Sequence, residues 1–306
     1  MCSTAFMDKI DTIRAFNRFY TNQIGLLGAV GLEGLSYTEA RVLFEIGSQE
    51  EPNARELVRL LALDEGYISR VIKSLERRRL IERFPSPDDG RVNILRPTKE
   101  GKIGYDTLVR RAKDAVKEMI SGLPGATIDQ LLETLVTAQG VLSWPNVPKP
   151  EIREIGTGDV GWVIKRHGEL YAASEDFDIS FEALVAKIMS EFIEKRQTPK
   201  EKGWIANSNG LRLGCVFVVA DDDTTARLRL MLVEPFARGK GVGQLLIGTA
   251  IDHARGKGFD KMVLWTEQGF EAACRLYARN GFKLKDSQPD EMFGRQVINQ
   301  TWELEL

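Results

Sequence analysis

Residues 228–246 read Leu-Arg-Leu-Met-Leu-Val-Glu-Pro-Phe-Ala-Arg-Gly-Lys-Gly-Val-Gly-Gln-Leu-Leu and decide the fold of the carboxy-terminal half. An apolar strand is predicted up to Pro235, where proline ends it. Gly239, Gly241 and Gly243 then lead into an apolar helical pattern. Such a turn exposes main-chain N–H groups at the positive end of a helix dipole, so the sequence predicts a pyrophosphate site. The spacing fits neither a P-loop nor a dinucleotide fingerprint.

Strands and helices alternate around this stretch, from about residue 151 to residue 306. That order predicts a mixed α/β sheet. The predicted strands are Glu151–Ile155, Trp204–Ala206, Leu211–Ala220, Arg227–Val233, Met262–Trp265, Phe282–Lys285 and Val297–Leu306, and the predicted helices are Gly161–Tyr171, Phe181–Phe192, Gly241–Arg255 and Phe270–Arg279.

Two motifs in this half resemble the GNAT family of acetyl-CoA-dependent N-acetyltransferases, over about residues 151–306. They are Leu230 to Pro235 with the Arg-x-x-Gly-x-Gly turn, and Ala273 to Phe282. The resemblance implies an α/β GNAT fold with a mixed, mostly antiparallel sheet, and acetyl-CoA as co-substrate. Phe270 departs from the asparagine that many members have there. The resemblance implies that the cofactor is bound by Leu232, Val233, Arg238, Gly239, Lys240, Gly241, Val242 and Gly243.

Catalysis in this family is direct attack of a neutral amine on the thioester carbonyl, with a thiolate leaving. Tyr277 matches the family's general acid, and a phenol of ordinary pKa about 10 can protonate a thiolate at neutral pH. The alternative is that Tyr277 only packs. Glu234, Glu267 and His167 are the candidates for the general base, each with a surface or packing role as the alternative, and deprotonation through water is equally possible. Of these, Glu234 is the residue that we expect at the catalytic site.

The acceptor side is predicted by aromatic residues and a carboxylate, in segments that line acceptor pockets in GNAT enzymes. This combination suits a small amine. For the tryptophans, a role in the hydrophobic core is an equal alternative. The expected substrate-binding residues are His167, Trp265, Glu267 and Phe293, with Trp162 nearby in the pattern.

The clearest break in the chain is Trp144 to Pro150, where three prolines in six positions prevent a helix from continuing. We therefore predict domains at 1–144 and 151–306, joined by a linker at 145–150. The amino-terminal domain is predicted to be mainly helical. A two-stranded hairpin is predicted over Ile81–Leu95. The predicted helical patterns are Ile10–Val30, Tyr37–Ile46, Ala54–Leu61, Ile68–Leu80 and Lys99–Leu142, the last with a break at Gly122 to Gly125.

Residues 54–80 show helix-turn-helix spacing, with Asp64 able to cap the second helix. The stretch from Tyr67 to Arg83 has six basic and two acidic residues, a local charge of +4. A basic helix face of this kind can neutralise phosphates, although such faces are often simply solvated. The residues predicted to face a DNA groove are Tyr67, Ser69, Arg70, Lys73 and Arg77, with a packing role for Tyr67 as the alternative.

The amino-terminal half resembles the MarR family of winged helix-turn-helix regulators across about residues 8–143. The shared motifs are Leu63 to Arg70, Leu80 to Arg83, Asp88 to Arg91 and Thr98 to Gly101. The resemblance implies that the recognition helix enters the major groove of double-stranded DNA, that Arg91 reaches the minor groove, and that terminal helices join two chains as a homodimer. Arg79 and Pro97 depart from the family pattern, and Arg79 stands where a helix-ending glycine is usual.

Composition excludes several protein classes. The net charge of −2 argues against a uniformly basic nucleic-acid coat, and Cys2, Cys215 and Cys274 have no metal-ligand spacing. No metal is therefore expected. There is no apolar run of membrane-spanning length and no secretion signal, so we expect a cytoplasmic protein without a membrane partner.

The two resemblances together are similar to bacterial fusions of a MarR regulator with a GNAT enzyme. The hypothesis is a regulator that binds a pseudo-palindromic operator as a dimer through Arg70, Lys73 and Arg91, and that acetylates a small amine. Coupling between the two activities is a further hypothesis. One alternative is a regulator that senses acyl-CoA without turnover, and another is an enzyme whose helix-turn-helix half serves only for dimerisation.

Overall fold

A computed structural model describes residues 9–23, 34–143, 149–195 and 199–306. It divides into two compact units, Met1–Ile128 and Asp129–Leu306. Most of the expected linker, residues 145–150, lies outside the described residues. The boundary between the units falls within a helix before that linker, because residues from 129 onward pack with the second unit.

The first unit is mainly helical, as expected. The helices that start at Tyr37, Ala54, Glu65 and Lys99 begin with side-chain caps that satisfy otherwise free amides. For example, Asn53 accepts from Glu56 N at 3.1 Å, and Asp64 from Tyr67 N at 2.9 Å. The helices are α1 Lys9–Gln23, α2 Tyr37–Ser48, α3 Ala54–Leu61, α4 Glu65–Arg77 and α5 Lys99–Ile120, and the strands are β1 Ile81–Pro85 and β2 Asn93–Pro97. Helix α6, Gly125–Ser143, begins in this unit and belongs to the second unit from Asp129 onward.

One face of α4 closes the core of this unit. Ile68, Val71, Ile72 and Leu75 are buried, as their spacing predicts, and they pack with residues of α2, α3 and the hairpin. Strands β1 and β2 pair antiparallel. Arg79 follows α4 with φ +58°, a left-handed conformation that glycine adopts without strain. This conformation explains why glycine is usual at this position, and it makes the backbone of Arg79 strained.

The second unit is an α/β fold. Within the described residues its sheet has seven strands in the order β3-β4-β5-β6-β7-β9-β8, and only β6 and β7 run parallel. The strands are β3 Glu151–Glu154, β4 Lys202–Ser208, β5 Leu211–Ala220, β6 Thr225–Val233, β7 Lys261–Glu267, β8 Lys283–Met292 and β9 Arg295–Glu305, and the helices are α7 Asp159–Glu175, α8 Ile179–Lys195, α9 Val242–Gly256 and α10 Glu271–Arg279.

Each face of this sheet carries its own hydrophobic core. Helices α9 and α10 cover one face, where Leu228, Leu246 and Leu264 are buried. Helices α7 and α8 cover part of the other face, where Val163, Met189 and Phe217 are buried. Residues that alternate along β6 therefore point into two different environments.

An ion-pair network fixes the start of α7. The Asp159 side chain is 2% exposed and accepts hydrogen bonds from Arg153 at 2.6 and 3.0 Å, from Arg212 at 2.8 Å and from the Gly156 amide at 2.7 Å. Arg212 also pairs with Glu133 of α6. Burial alone would raise the pKa of Asp159, but these hydrogen bonds outweigh it and lower the pKa from 3.8 to about 2.

Asp159→Asn is expected to destabilise the second unit by about 2 kcal/mol or more at pH 7, because it leaves two arginines without their shared carboxylate. The lowered pKa means that this stability is present above pH 4 and is lost as the pH falls towards 2. Urea unfolding at pH 7 and at pH 3 measures it, with exposed Asp252→Asn as the control. Equal stability of the two variants at pH 7 would contradict the prediction.

Candidate functional site

Strands β6 and β7 separate part-way along the sheet. They pair from Thr225 opposite Lys261 to Leu228 opposite Leu264. Strand β6 then continues for five residues, which have no strand partner on that side among the residues that the structure describes. The register with β5 shifts at the same level, and Leu230 has φ +48°. The result is a wedge-shaped gap, lined on one side by the main-chain edge of β6 at Leu232 and Val233, which has no strand partner on that side in the described part of the chain. The Val233 carbonyl oxygen accepts a hydrogen bond from Arg238 Nε at 3.3 Å.

The glycine turn lies directly after this edge. Gly239 and Gly241 have φ of +74° and +81°, and a Cβ atom on either would meet nothing within 4 Å. The first hydrogen bond of α9 is from Leu245 N to Gly241 O, so the amides of residues 242–244 have no acceptor within the helix. With exposed Arg238 and Lys240 beside them, these amides form an open, positively polarised cradle that fits a diphosphate.

Tyr277 of α10 lies buried beside the gap. Burial raises the pKa of its hydroxyl, and the nearby Tyr171 and Cys274 raise it further. Tyr171 belongs to α7, on the opposite face of the sheet, and burial raises its pKa to about 12. Both phenols therefore stay protonated at neutral pH and can donate a proton.

Glu234 occupies a different position from the one expected of a base. Its carboxylate is buried and accepts two hydrogen bonds of 2.7 Å from Arg166 of α7. Both carboxylate oxygens are thus occupied by one guanidinium group. The geometry therefore favours an anchoring role for Glu234, tying the end of β6 to α7, in place of the base expected from the sequence.

Glu267, at the end of β7, has the properties of a base. It is 4% exposed; its Oε1 accepts from Arg295 at 2.8 Å, while its buried Oε2 has no hydrogen-bond partner in the described part of the chain. Burial raises its pKa, and Arg295 opposes that rise. An unpaired, partly desolvated carboxylate oxygen beside the gap can accept a proton from a cationic amine.

His167 is enclosed within α7 and the aromatic core. Its Nδ1 lies 2.8 Å from Val163 O, and burial lowers its pKa to about 4, so the ring is neutral at physiological pH. It stacks on Tyr171 at 5.9 Å. Because His167 is buried and stacks on Tyr171, this geometry favours a role in positioning the Tyr171 side chain. It does not favour the direct substrate contact that the sequence predicted.

Aromatic side chains form a wall next to Glu267. Phe293 lies 4.8 Å from Phe177 and 5.0 Å from Phe181, and Trp265 lies 6.5 Å from Phe293 with 37% of its surface exposed. Phe270 packs edge-on against Tyr171 at 5.2 Å. Trp265 and Phe293 are thus brought together as expected, and Phe270 fills the place of the missing polar contact with an apolar ring.

The recognition helix α4 presents a basic face. Arg70 and Lys73 are exposed and Ser69 is half-buried. Tyr67 donates to Thr38 Oγ1 at 3.1 Å, and the Arg70 guanidinium lies 5.7 Å from its ring. Tyr67 therefore has a packing role as well as an exposed edge. The side chain of Arg91, at the hairpin tip, is 95% exposed, and its Nε lies 3.7 Å from Asp89 Oδ1 in a solvent-exposed ion pair.

Two family models match this chain. A model of the MarR family matches residues 33–92, and a model of the acetyltransferase (GNAT) family matches residues 164–282. The chain carries both domains. The mainly helical MarR region followed by a GNAT-like α/β fold with a mixed sheet confirms the fold class expected from the sequence.

The curated relatives match only a short segment of this chain. Mycothiol acetyltransferase of Beutenbergia cavernae is 30% identical over 81 residues, which is 26% of this chain and 27% of that protein. Mycothiol acetyltransferase of Mycobacteroides abscessus is 36% identical over 63 residues, 21% of each. The chain thus spans about a quarter of the length of these relatives.

Solved structures similar to the GNAT domain include two with ligands. A putative acetyltransferase from Salmonella typhimurium with acetyl-CoA is 22% identical, with TM-score 0.45, covering 52% of this chain and 95% of that one. Spermidine N-acetyltransferase from Vibrio cholerae, with CoA and spermine, is 18% identical, with TM-score 0.43, covering 51% and 95%.

Several residues near the candidate sites of both domains were not predicted from the sequence. Arg229 of β6 in the GNAT domain could have been noticed as a charge within an apolar strand. Arg55 and Arg59 of α3 in the MarR domain line the groove between α3, α4 and the hairpin, together with Arg91. Tyr171 carried no signal, because only folding brings it next to Tyr277.

No helix among the described residues has the length and apolarity to cross a membrane. In the same residues, histidine, cysteine and acidic side chains form no group of three or more that could hold a metal ion.

Proposed function

We propose that the GNAT domain transfers an acetyl group from acetyl-CoA to a small amine, and that the MarR domain binds operator DNA as a homodimer. The observation that carries the first part is the free edge of β6 leading directly into the open cradle of Gly239 to Gln244, with Tyr277 beside the gap. These features support the proposal because a strand edge can pair with the pantetheine arm, a glycine turn can hold the diphosphate, and a protonated phenol can protonate the leaving thiolate.

The chain's own groups have separable roles in this reaction. The amides of residues 242–244, with Arg238 and Lys240, would hold the diphosphate, and the main chain at Leu232 and Val233 would pair with the pantetheine arm. Acetyl-CoA supplies an activated acetyl thioester. As the amine nitrogen bonds to the acetyl carbon and the carbon–sulfur bond breaks, Tyr277 donates its proton to the departing sulfur.

Glu267 is the group we propose to accept the proton that the amine loses. Its Oε2 is buried and has no hydrogen-bond partner among the described residues, and the Arg295 that binds its Oε1 lies 5.6 Å from the centroid of the Phe177 ring. A cationic amine bound there would be desolvated and attracted to the carboxylate. Glu234 remains the sequence-based alternative, and its pairing with Arg166 weighs against it.

The MarR domain is proposed to place α4 in the major groove of double-stranded DNA, with the base edges and phosphates met by Arg70 and Lys73 and the minor groove by Arg91. Helix α1 supports a dimer. Ile10, Ile13, Phe16 and Phe19 are 50–64% exposed along its length, and an apolar stripe of this kind is normally covered by a partner.

The test is transfer of isotope-labelled acetyl from acetyl-CoA to a metabolite extract, followed by mass spectrometry. We expect a labelled amine with the wild type and none with Gly241→Glu, which adds a carboxylate to the cradle and forces a side chain into a positive φ. Gly248→Glu is the matched control, because it adds the same charge to α9 away from the cradle. Loss of transfer in both variants would contradict the cradle assignment.

No label with the wild type, while acetyl-CoA still binds, would replace the enzyme by a sensor of acyl-CoA. Binding of acetyl-CoA by calorimetry separates these outcomes, since the sensor and the enzyme both need the cradle but only the enzyme releases CoA.

A further inference from the structure

Arg229 lies where strands β6 and β7 begin to separate. It follows Leu228, the last residue of β6 that pairs with β7, and precedes the irregular Leu230. Its register partner on β5 is Phe217, so both side chains point to the sheet face that carries α7 and α8. Arg229 therefore lies at the mouth of the gap, on the face opposite α9.

The guanidinium of Arg229 has no acidic partner within 4 Å in the part of the chain that the structure describes. Its neighbour Arg227, two positions earlier on the same face, is fully paired, donating to Asp221 Oδ1 at 2.6 Å. Arg229 is half-buried, and burial together with Arg227 lowers its pKa, with Asp221 and Glu191 only partly compensating. A half-buried charge without a counter-ion costs free energy unless a ligand supplies one.

The other groups on this face complete a site. Trp265 stands on β7 at the level of Arg229, and Glu267 lies two residues further, with its free Oε2. At a rise of about 3.3 Å per residue and a strand spacing of about 4.8 Å, the Cα atoms of Arg229 and Glu267 are at least about 8 Å apart. At this separation, Arg229 could bind an anionic group and Glu267 a cationic group of the same small molecule.

We propose that the acceptor is an amino acid, whose carboxylate is bound by Arg229 and whose amine lies toward Glu267, with its side chain against Trp265. The planar guanidinium fork matches a carboxylate in bidentate geometry. This inference rests on the proposed acetyltransferase function and narrows its substrate from an amine to a zwitterion.

The test compares matched acceptors: phenylalanine with phenethylamine, leucine with isopentylamine, and lysine with cadaverine. CoA release gives kcat and KM for wild type, Arg229→Gln and the control Arg227→Gln. In the wild type, at least one amino acid should exceed its amine in kcat/KM by about tenfold or more. Arg229→Gln should lower that ratio by about ten- to hundredfold, mainly through KM, whereas Arg227→Gln should leave it within about threefold.

Calorimetry of the amino acid with CoA-saturated protein adds a readout that needs no turnover. Binding should weaken with Arg229→Gln by the same factor as KM rises. Equal losses for both members of a pair, or a labelled acceptor from the extract that has no anionic group, would overturn the inference and leave the acetyltransferase standing. Absence of transfer to every pair and to the extract would overturn both proposals.

Discussion

Tyr277→Phe is expected to lower kcat for acetyl transfer by about 100-fold or more, with little change in KM for acetyl-CoA. The hydroxyl is the proton donor that we assign to the leaving sulfur, and a positioned general acid contributes about 100- to 10,000-fold. The ring packs on Phe282 at 5.9 Å, and phenylalanine keeps that contact. Stopped-flow measurement of CoA release gives both constants.

The pH profile provides a second readout of the same assignment. Burial raises the pKa of Tyr277, so the hydroxyl keeps its proton throughout the neutral and mildly alkaline range. Ionisation of Tyr277 should therefore not lower kcat in that range. The raised pKa of Glu267 predicts an acidic limb above the ordinary carboxyl range, with activity rising as Glu267 ionises. A control, Tyr105→Phe in the MarR domain, removes the same atom elsewhere. A loss below threefold for Tyr277→Phe would exclude it as the acid.

Reversing two charges, Arg70→Glu with Arg91→Glu, is expected to weaken operator binding by about 1,000-fold or more. Each arginine is exposed and would meet phosphate or base edges, and the replacements repel the same groups. A duplex selected from genomic fragments with the wild type serves as probe in fluorescence anisotropy. The slope of log affinity against log salt concentration should also become less steep, by the amount that corresponds to the loss of about two phosphate contacts per chain.

The matched control is Arg110→Glu with Lys113→Glu, an equal charge change on exposed positions of α5. It should alter binding much less, because those positions lie outside the recognition helix and hairpin. Equal weakening by the two double variants would mean that net charge alone governs binding, and would remove the assignment of α4 and Arg91 as the DNA-contacting surface.

Local patterns were enough to predict most of the secondary structure. The apolar run Leu211–Ala220 and the amphipathic segment Ala54–Leu61 begin and end where they were expected, because short-range periodicity and capping determine them. The glycine turn was also predicted, because glycine is the residue that adopts positive φ without strain and leaves space beside the main chain.

Contacts between distant positions could not be predicted. Glu234 and Glu267 look alike in the sequence, and their difference arises from Arg166, 68 positions before Glu234, which neutralises one of them. The unit boundary at residue 128 has the same origin, because Glu133 pairs with Arg212 of β5, 79 positions later, and Val136 packs against the hydrophobic core of the second unit. A proline-rich segment marks where a helix must stop, which is not always where a packed unit begins.

The free edge of β6 has a consequence for how the site can change over time. Recognition there depends on main-chain groups, which every residue except proline offers equally. In the proposed binding mode, substitutions of Leu232 and Val233 that suit the surrounding core should therefore not lower the affinity for the pantetheine arm. Drift is restricted at Gly239 and Gly241, where any side chain adds backbone strain and occupies the space that a diphosphate needs.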